Sequence, residues 1–265
     1  MKVGYYQFRP LFGKIRHNTN KVVNALQDVK ADLIVLPELA FTGYYFQNKN
    51  ELKSLAEDPA KSSTVEALVK LCRKNYFHLV TGFAEKSRDK IFNSALLIGP
   101  DGIEHTYRKL HLFNEEKKYF DAGDIPLQVN TVKEVKVGML VCFDWVFPEA
   151  MRSLTLQGAE VIAHPSNLVL TFCQEAMITR CLENRVFAIT TNRFGTDKRP
   201  HGELKFTGKS QIVAPGGVLV QRAVSQREAL FITEIDPAES HQKNITPMND
   251  LIEDRRPEYY QNLIN

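Results

Sequence analysis

A carboxylate, an amine and a thiol each stand at the end of a strand-like run in this chain of 265 residues. Cys142 closes the apolar run Val137-Gly138-Met139-Leu140-Val141, which reads as a strand buried on both faces. Phe143-Asp144-Trp145-Val146-Phe147 then leads to Pro148, a residue suited to a first helical turn. Cys142 is therefore expected on a sharp strand-to-helix turn, at the sheet edge where open α/β folds hold ligands. Backbone N–H groups of such a turn can face an oxyanion. Glu38 ends Leu33-Ile34-Val35-Leu36-Pro37, and Pro37 cannot donate to a ladder, so the acid emerges where pairing stops. Lys109 follows a run that starts after the turn Pro100-Asp101-Gly102. Taken singly, Cys142 also fits a core cysteine, and Glu38 and Lys109 also fit surface charges at strand ends. Together they form a set for covalent chemistry. A thiolate attacks, a carboxylate carries the proton and an ammonium holds developing charge.

Eleven strands are predicted, over 3–8, 33–36, 79–82, 94–98, 103–108, 135–142, 161–164, 187–191, 208–213, 218–221 and 229–234. Helices are predicted over 14–29, 64–75, 148–157 and 174–185. Ser63-Thr64-Val65-Glu66 has the form of a capping box at the start of the second. Val65, Leu68, Val69 and Cys72 lie on one face of it, so Cys72 reads as core, as do Cys181 and Cys173. So many strands cannot share one small sheet. The economical α/β arrangement is a four-layer α-β-β-α sandwich: two mixed sheets face to face, with helices on both outer sides. No linker, repeat or low-complexity tract interrupts residues 1–265, which predicts a single domain.

Hydrophobic residues make up 43% and charged residues 25%, as in ordinary globular proteins. The net charge is +3, with signs mixed locally as in Glu115-Glu116-Lys117-Lys118, so nucleic acid is not an expected partner. No apolar run approaches the roughly 18 residues of a membrane span. Met1-Lys2-Val3-Gly4 runs directly into a strand pattern, and the four cysteines show no framework spacing. A cytoplasmic protein with reduced thiols is expected.

Three segments in this order resemble the nitrilase superfamily of carbon–nitrogen hydrolases. They are Leu36-Pro37-Glu38-Leu39 with Thr42-Gly43-Tyr44, Tyr107-Arg108-Lys109-Leu110-His111-Leu112-Phe113, and Gly138-Met139-Leu140-Val141-Cys142-Phe143-Asp144. Similarity continues through His164-Pro165-Ser166-Asn167, Arg180–Arg185, Asn192-Arg193, Phe206–Ser210 and Asp254-Arg255-Arg256-Pro257. The resemblance implies the same sandwich fold. It also implies Glu38 as general base, Cys142 as nucleophile, and Lys109 with the backbone N–H of Phe143 as oxyanion donors. A second family glutamate aligns best with Glu116, with Glu115 as the alternative. Tyr44, Trp145, Pro165 and Asn167 are candidate substrate contacts.

The implied reaction cleaves a small aliphatic amide to a carboxylic acid and ammonia through a thioester, without metal or organic cofactor. Phe143-Asp144-Trp145 after the cysteine looks like the amidase branch, whereas dedicated nitrilases commonly carry Trp-Glu there. Nitriles and N-carbamoyl compounds are the alternative substrates. A Cys/His hydrolase would need His111 or His164 as base, and a metal site would need ligand spacing that His105 and His111 do not provide. A non-catalytic binding domain is disfavoured because all three motif residues are present. A homodimer or larger assembly is expected through the helix near Arg180–Arg185 and an extension over about 245–265.

Overall fold

In a computed structural model, which describes residues 1–264, the chain runs β1 (Lys2–Gln7), α1 (Ile15–Leu26), β2 (Leu33–Val35), α2 (Lys49–Leu55), α3 (Ser63–Asn75), β3 (His78–Ser87), β4 (Lys90–Gly99) and β5 (Gly102–Arg108). It continues through α4 (Glu116–Tyr119), β6 (Val129–Val132), β7 (Val135–Met139), α5 (Pro148–Leu156), β8 (Val161–Ser166), α6 (Cys173–Asn184) and β9 (Phe187–Asn192). The last third holds β10 (Phe194–Arg199), β11 (Gly202–Thr207), β12 (Gln211–Ala214), β13 (Val218–Arg222) and β14 (Ala229–Glu234), then a small hairpin of β15 (Asn244–Thr246) and β16 (Asn249–Asp250).

Two six-stranded sheets have the orders β14-β1-β2-β3-β4-β5 and β13-β12-β9-β8-β7-β6. Each has three parallel strands at its centre and antiparallel strands at both edges. Alternation along the strands builds the layers. Val3, Tyr5, Leu33, Val35 and Val80 pack toward the second sheet, into a cluster with Val137, Met139, Val161 and Ile189. The intervening Tyr6, Ile34, Leu36 and Leu79 pack outward against Val22 and Leu26 of α1 and Leu68 and Cys72 of α3. Helices α5 and α6 cover the other side, giving the α-β-β-α sandwich. Among the described residues, no helix is long and apolar enough to cross a membrane.

Beyond α2, α4 and β6, which the sequence pattern did not mark, further details differ from it. The cap of α3 is Ser62, whose Oγ accepts from the N–H of Val65, and Glu66 pairs with Lys70 instead of closing a box. Strand β7 ends at Met139, before the predicted Cys142. The β10–β11 hairpin was not predicted because Gly195 and Asp197, not apolar side chains, fill the buried positions of β10, and β11 buries only Phe206. The 245–265 extension is described as far as residue 264 and begins with the β15–β16 hairpin; residue 265 lies outside the described residues.

Candidate active site

The three strand-end residues meet between the sheets. Glu38 follows β2, Lys109 follows β5, and Cys142 opens a single 3-10 turn, Cys142–Val146, after β7. The Lys109 ammonium lies 2.8 Å from Glu38 Oε1 and 2.8 Å from Glu116 Oε2, with all three side chains at most 4% exposed. Glu116, at the start of α4, also accepts from the Tyr44 hydroxyl at 2.7 Å and from the N–H of Phe113 at 3.1 Å. Its neighbour Glu115 points elsewhere, to Lys118 at 2.7 Å.

Glu38 is held on every side but one. Oε1 accepts from Lys109 and from Asn93 Nδ2 at 2.7 Å, while the backbone carbonyl accepts from Asn167 Nδ2 at 2.8 Å. Oε2 is buried and has no hydrogen-bond partner among the described residues. Two glycines allow the close packing around these groups. A Cβ on Gly82 would come within 2.3 Å of Glu38 Cα, and one on Gly123 within 2.1 Å of the Arg108 carbonyl oxygen.

Cys142 has φ of +44°, a conformation that a non-glycine residue adopts only when its surroundings impose it. The buried Asp144 supplies that constraint. It accepts from the N–H of Val141 and from the Tyr107 hydroxyl, each at 2.8 Å, and pairs with His111 Nδ1 at 2.8 Å. His111 in turn stacks on Phe147. On the other side, His164 Nε2 donates to the Cys142 carbonyl oxygen at 2.9 Å. Burial lowers the His164 pKa to about 4, so the ring stays neutral near pH 7. Both histidines thus hold the backbone of the turn, and neither ring is hydrogen-bonded to the thiol. Phe143 is the second residue of the turn, where amide groups lack a partner within the helix.

Burial raises the Glu38 pKa, with Glu116 adding to the effect and Lys109 opposing it. Burial alone would lower the Lys109 pKa, but the Glu116 and Glu38 carboxylates outweigh it and hold the ammonium charged. Burial, then Glu38, raises the Cys142 thiol, against the pull of Lys109. The arrangement is a neutral thiol, a carboxylate with heightened basicity and a fixed ammonium.

A small space of about 20 Å³ is lined by Cys142, Phe143, Trp145 and Asn167. Tyr44 lines a second, larger cavity beside it. Pro165 is buried within β8, pairs with Thr191 and lines neither space. Sequence reasoning did not single out Asn93 or the anchoring role of Asp144. The signal for Asn93 was a polar pair, Asn93-Ser94, inside the apolar run Ile91–Ile98. Among the described residues, no three His, Cys, Asp or Glu side chains converge as a metal-ligand set.

Residues 2–243 match the family model described as "Carbon-nitrogen hydrolase". A protein of Pyrococcus abyssi named nitrilase is 39% identical over 98% of this chain and 99% of its own length. An (R)-stereoselective amidase of a Pseudomonas species is 32% identical over 89% of this chain and 85% of its own. A crystal structure of a carbon-nitrogen hydrolase from Helicobacter pylori G27 superposes with a TM-score of 0.89 at 27% identity, covering 100% of this chain and 98% of that one.

Proposed function

The chain belongs to the carbon-nitrogen hydrolase family, and from that premise we propose that it hydrolyses primary amides to carboxylic acid and ammonia through a thioester on Cys142. One observation carries this reading: a buried ammonium fixed at 2.8 Å from two carboxylates, beside a thiol on a strained turn. An ammonium has three N–H donors, and Glu38 and Glu116 engage two of those of Lys109. The third is available to an oxyanion, together with the N–H of Phe143.

The proposed steps follow from these positions. As the Cys142 sulfur attacks the amide carbon, its proton passes to Glu38, whose unpartnered Oε2 is suited to receive it. The carbonyl electron pair moves onto oxygen and is held by Lys109 and Phe143. Collapse restores the carbonyl and expels the nitrogen, which leaves as ammonia with the proton from Glu38. Glu38 then takes a proton from water, whose oxygen attacks the thioester. The carboxylic acid departs, and the sulfur regains a proton from Glu38. Glu116 fixes the ammonium. Tyr44, through Glu116, and Asn167, through the Glu38 carbonyl, support the same geometry.

Ammonia release from short aliphatic amides tests this. Cys142→Ala is expected to abolish it with the thermal melt preserved, and retained activity in that variant overturns the mechanism. A second reading, nitrile hydrolysis at the same thiol, is favoured by the name of the Pyrococcus abyssi relative. Matched amides, nitriles and N-carbamoyl compounds separate the readings. We also assign the protein to a reducing cytoplasm, on its four unpaired thiols, and to a homodimer or larger assembly. Exposed Leu182 on α6 and Tyr259 near the C-terminal end support self-association there, and a 30.2 kDa species by light scattering refutes it.

A further inference from the structure

The cleft has two contiguous compartments of very different size. The inner one, about 20 Å³ beside Cys142, has room for little more than the reacting group. The outer one holds about 470 Å³, within the range of sites that enclose whole small molecules. Phe113 and Val169 line both, and Glu116 forms part of the outer wall, so the large space abuts the charge network directly. A short aliphatic amide would leave most of it unfilled.

Aromatic rings of Tyr44, Tyr45, Phe46, Tyr119 and Phe120 make up much of the outer wall, with the polar side chains of Gln47, Asn114 and Glu115 set among them. The far side is closed by His201 and Leu204, from the tip and second strand of the β10–β11 hairpin. The Tyr45 ring lies 4.1 Å from the His201 ring, and its hydroxyl donates to the His201 carbonyl. Arg199 ties the hairpin to the body by pairing with Glu51 and lying over Phe12 at 3.7 Å. No lysine or arginine lines the space, and the Glu115 and Glu116 carboxylates are already paired with Lys118 and Lys109. A distal carboxylate would meet no lysine or arginine there, and the imidazole in the wall, His201, packs against the Tyr45 ring.

The position of Glu38 orients the substrate. Glu38 is fully buried and lines neither compartment. As the acid that protonates the departing nitrogen, it draws that nitrogen inward, where a large N-substituent has no space. The acyl substituent must then extend past Phe113 and Val169. Resting on the amidase reading above, we infer that the preferred substrate is a primary carboxamide with an extended apolar or aromatic acyl group, uncharged at its far end, seated against the β10–β11 hairpin between Tyr45 and Leu204.

The test compares kcat/KM for acetamide, 4-phenylbutanamide, its N-methyl derivative and adipamic acid, a chain of similar length ending in a carboxylate. 4-Phenylbutanamide is expected to exceed acetamide by about 30-fold. N-methylation and the distal carboxylate should each cost about tenfold or more. Leu204→Trp, on a partly exposed hairpin, should fill the compartment and reduce the 4-phenylbutanamide-to-acetamide ratio about fivefold; Tyr45→Ala should lower it by a similar factor. A ratio near unity in the native protein, or one that neither variant moves, overturns the inference while leaving amide hydrolysis intact. Calorimetry on Cys142→Ala separates binding from chemistry. 4-Phenylbutanamide should bind about tenfold more tightly than acetamide even where no ammonia is released, and equal weak binding of the two sinks the assignment.

Discussion

Arg108 and Lys109 are adjacent cations, and each is bound by two carboxylates. Arg108 pairs with Glu85 and with Asp124 at 2.7 Å, and it lies over the Phe92 ring at 3.9 Å. Lys109 pairs with Glu38 and Glu116 at 2.8 Å. Number and distance hardly differ; access to water does. Glu85 is as dry as the Lys109 set at 5%, but Arg108 itself is 16% and Asp124 43% exposed, whereas no side chain of the Lys109 set exceeds 4%. Near solvent, such charges contribute modestly and need have no further use. In the interior, the desolvation cost is large, and replacing the cluster by apolar residues is often no less stable. A buried cluster that strains the balance in this way is the expected signature of a reactive site. The proximity of charges is therefore a weaker guide to the active centre than the absence of water around them.

The largest expected effect contrasts the two cations directly. Lys109→Met leaves Glu38 and Glu116 buried without their counter-ion and removes an oxyanion donor. Amide hydrolysis should fall about a thousandfold or more, and unfolding stability should drop by about 3–5 kcal/mol. Arg108→Met should cost about 2 kcal/mol and change kcat/KM by no more than about twofold. The two networks should also differ in pH response. The folded pKa of Lys109 lies above 10.5, so its stabilisation is complete below that pH and is lost as pH rises through the higher folded value. The Asp124 carboxyl is lowered by its hydrogen bond from Arg108, so its contribution is present above 3.8 and disappears as pH falls through the lower folded value. Denaturant melts of the native protein and both variants across pH measure all of this. Equal losses from the two substitutions would erase the distinction.

The next effect concerns Glu116. Glu116→Gln keeps the shape of the side chain but removes one of the charges that hold Lys109. Activity is expected to fall about a hundredfold. Burial and then Glu116 raise the Glu38 pKa, so the acid limb of kcat/KM should lie above the ordinary carboxylate range in the native enzyme. Removing the Glu116 charge should move that limb to lower pH. A limb that stays in place would mean that Glu38 is not the titrating base.

Motif order made Glu38, Lys109 and Cys142 legible, because each follows a strand, apolar for Glu38 and Cys142 and mixed for Lys109, and strand ends converge in a sandwich. The central strands were legible for the same reason: their apolar residues alternate or run unbroken. Asn93 and Asp144 were harder to see. Their value lies in partners distant in sequence, Glu38 for one and Tyr107 with His111 for the other. The β10–β11 hairpin was hidden because the interior positions of β10 are a glycine and an ion-paired aspartate, Asp197 with Arg193, and β11 buries a single apolar residue, Phe206. Local pattern reports which faces are dry, but not which polar groups meet there. The wall of the outer compartment, assembled from the segment after Gly43, from α4 and from the hairpin, shares that limit.

The smallest expected effect divides two neighbouring glutamates that the sequence could not fully separate. Glu115 and Glu116 sit at the same turn and both accept from a lysine at short range. The Glu115–Lys118 side chains are 45% and 65% exposed, so water and salt already screen them. Glu115→Gln should therefore leave the denaturant melt essentially unmoved and change kcat/KM by less than about twofold. Because Glu115 also borders the outer compartment, its substitution is best assayed on acetamide, which does not reach that wall. A loss approaching that of Glu116→Gln would mean that the charge of the whole turn, not one buried carboxylate, holds Lys109 in place. A loss confined to Glu116→Gln would fix the second glutamate by one residue's difference in burial.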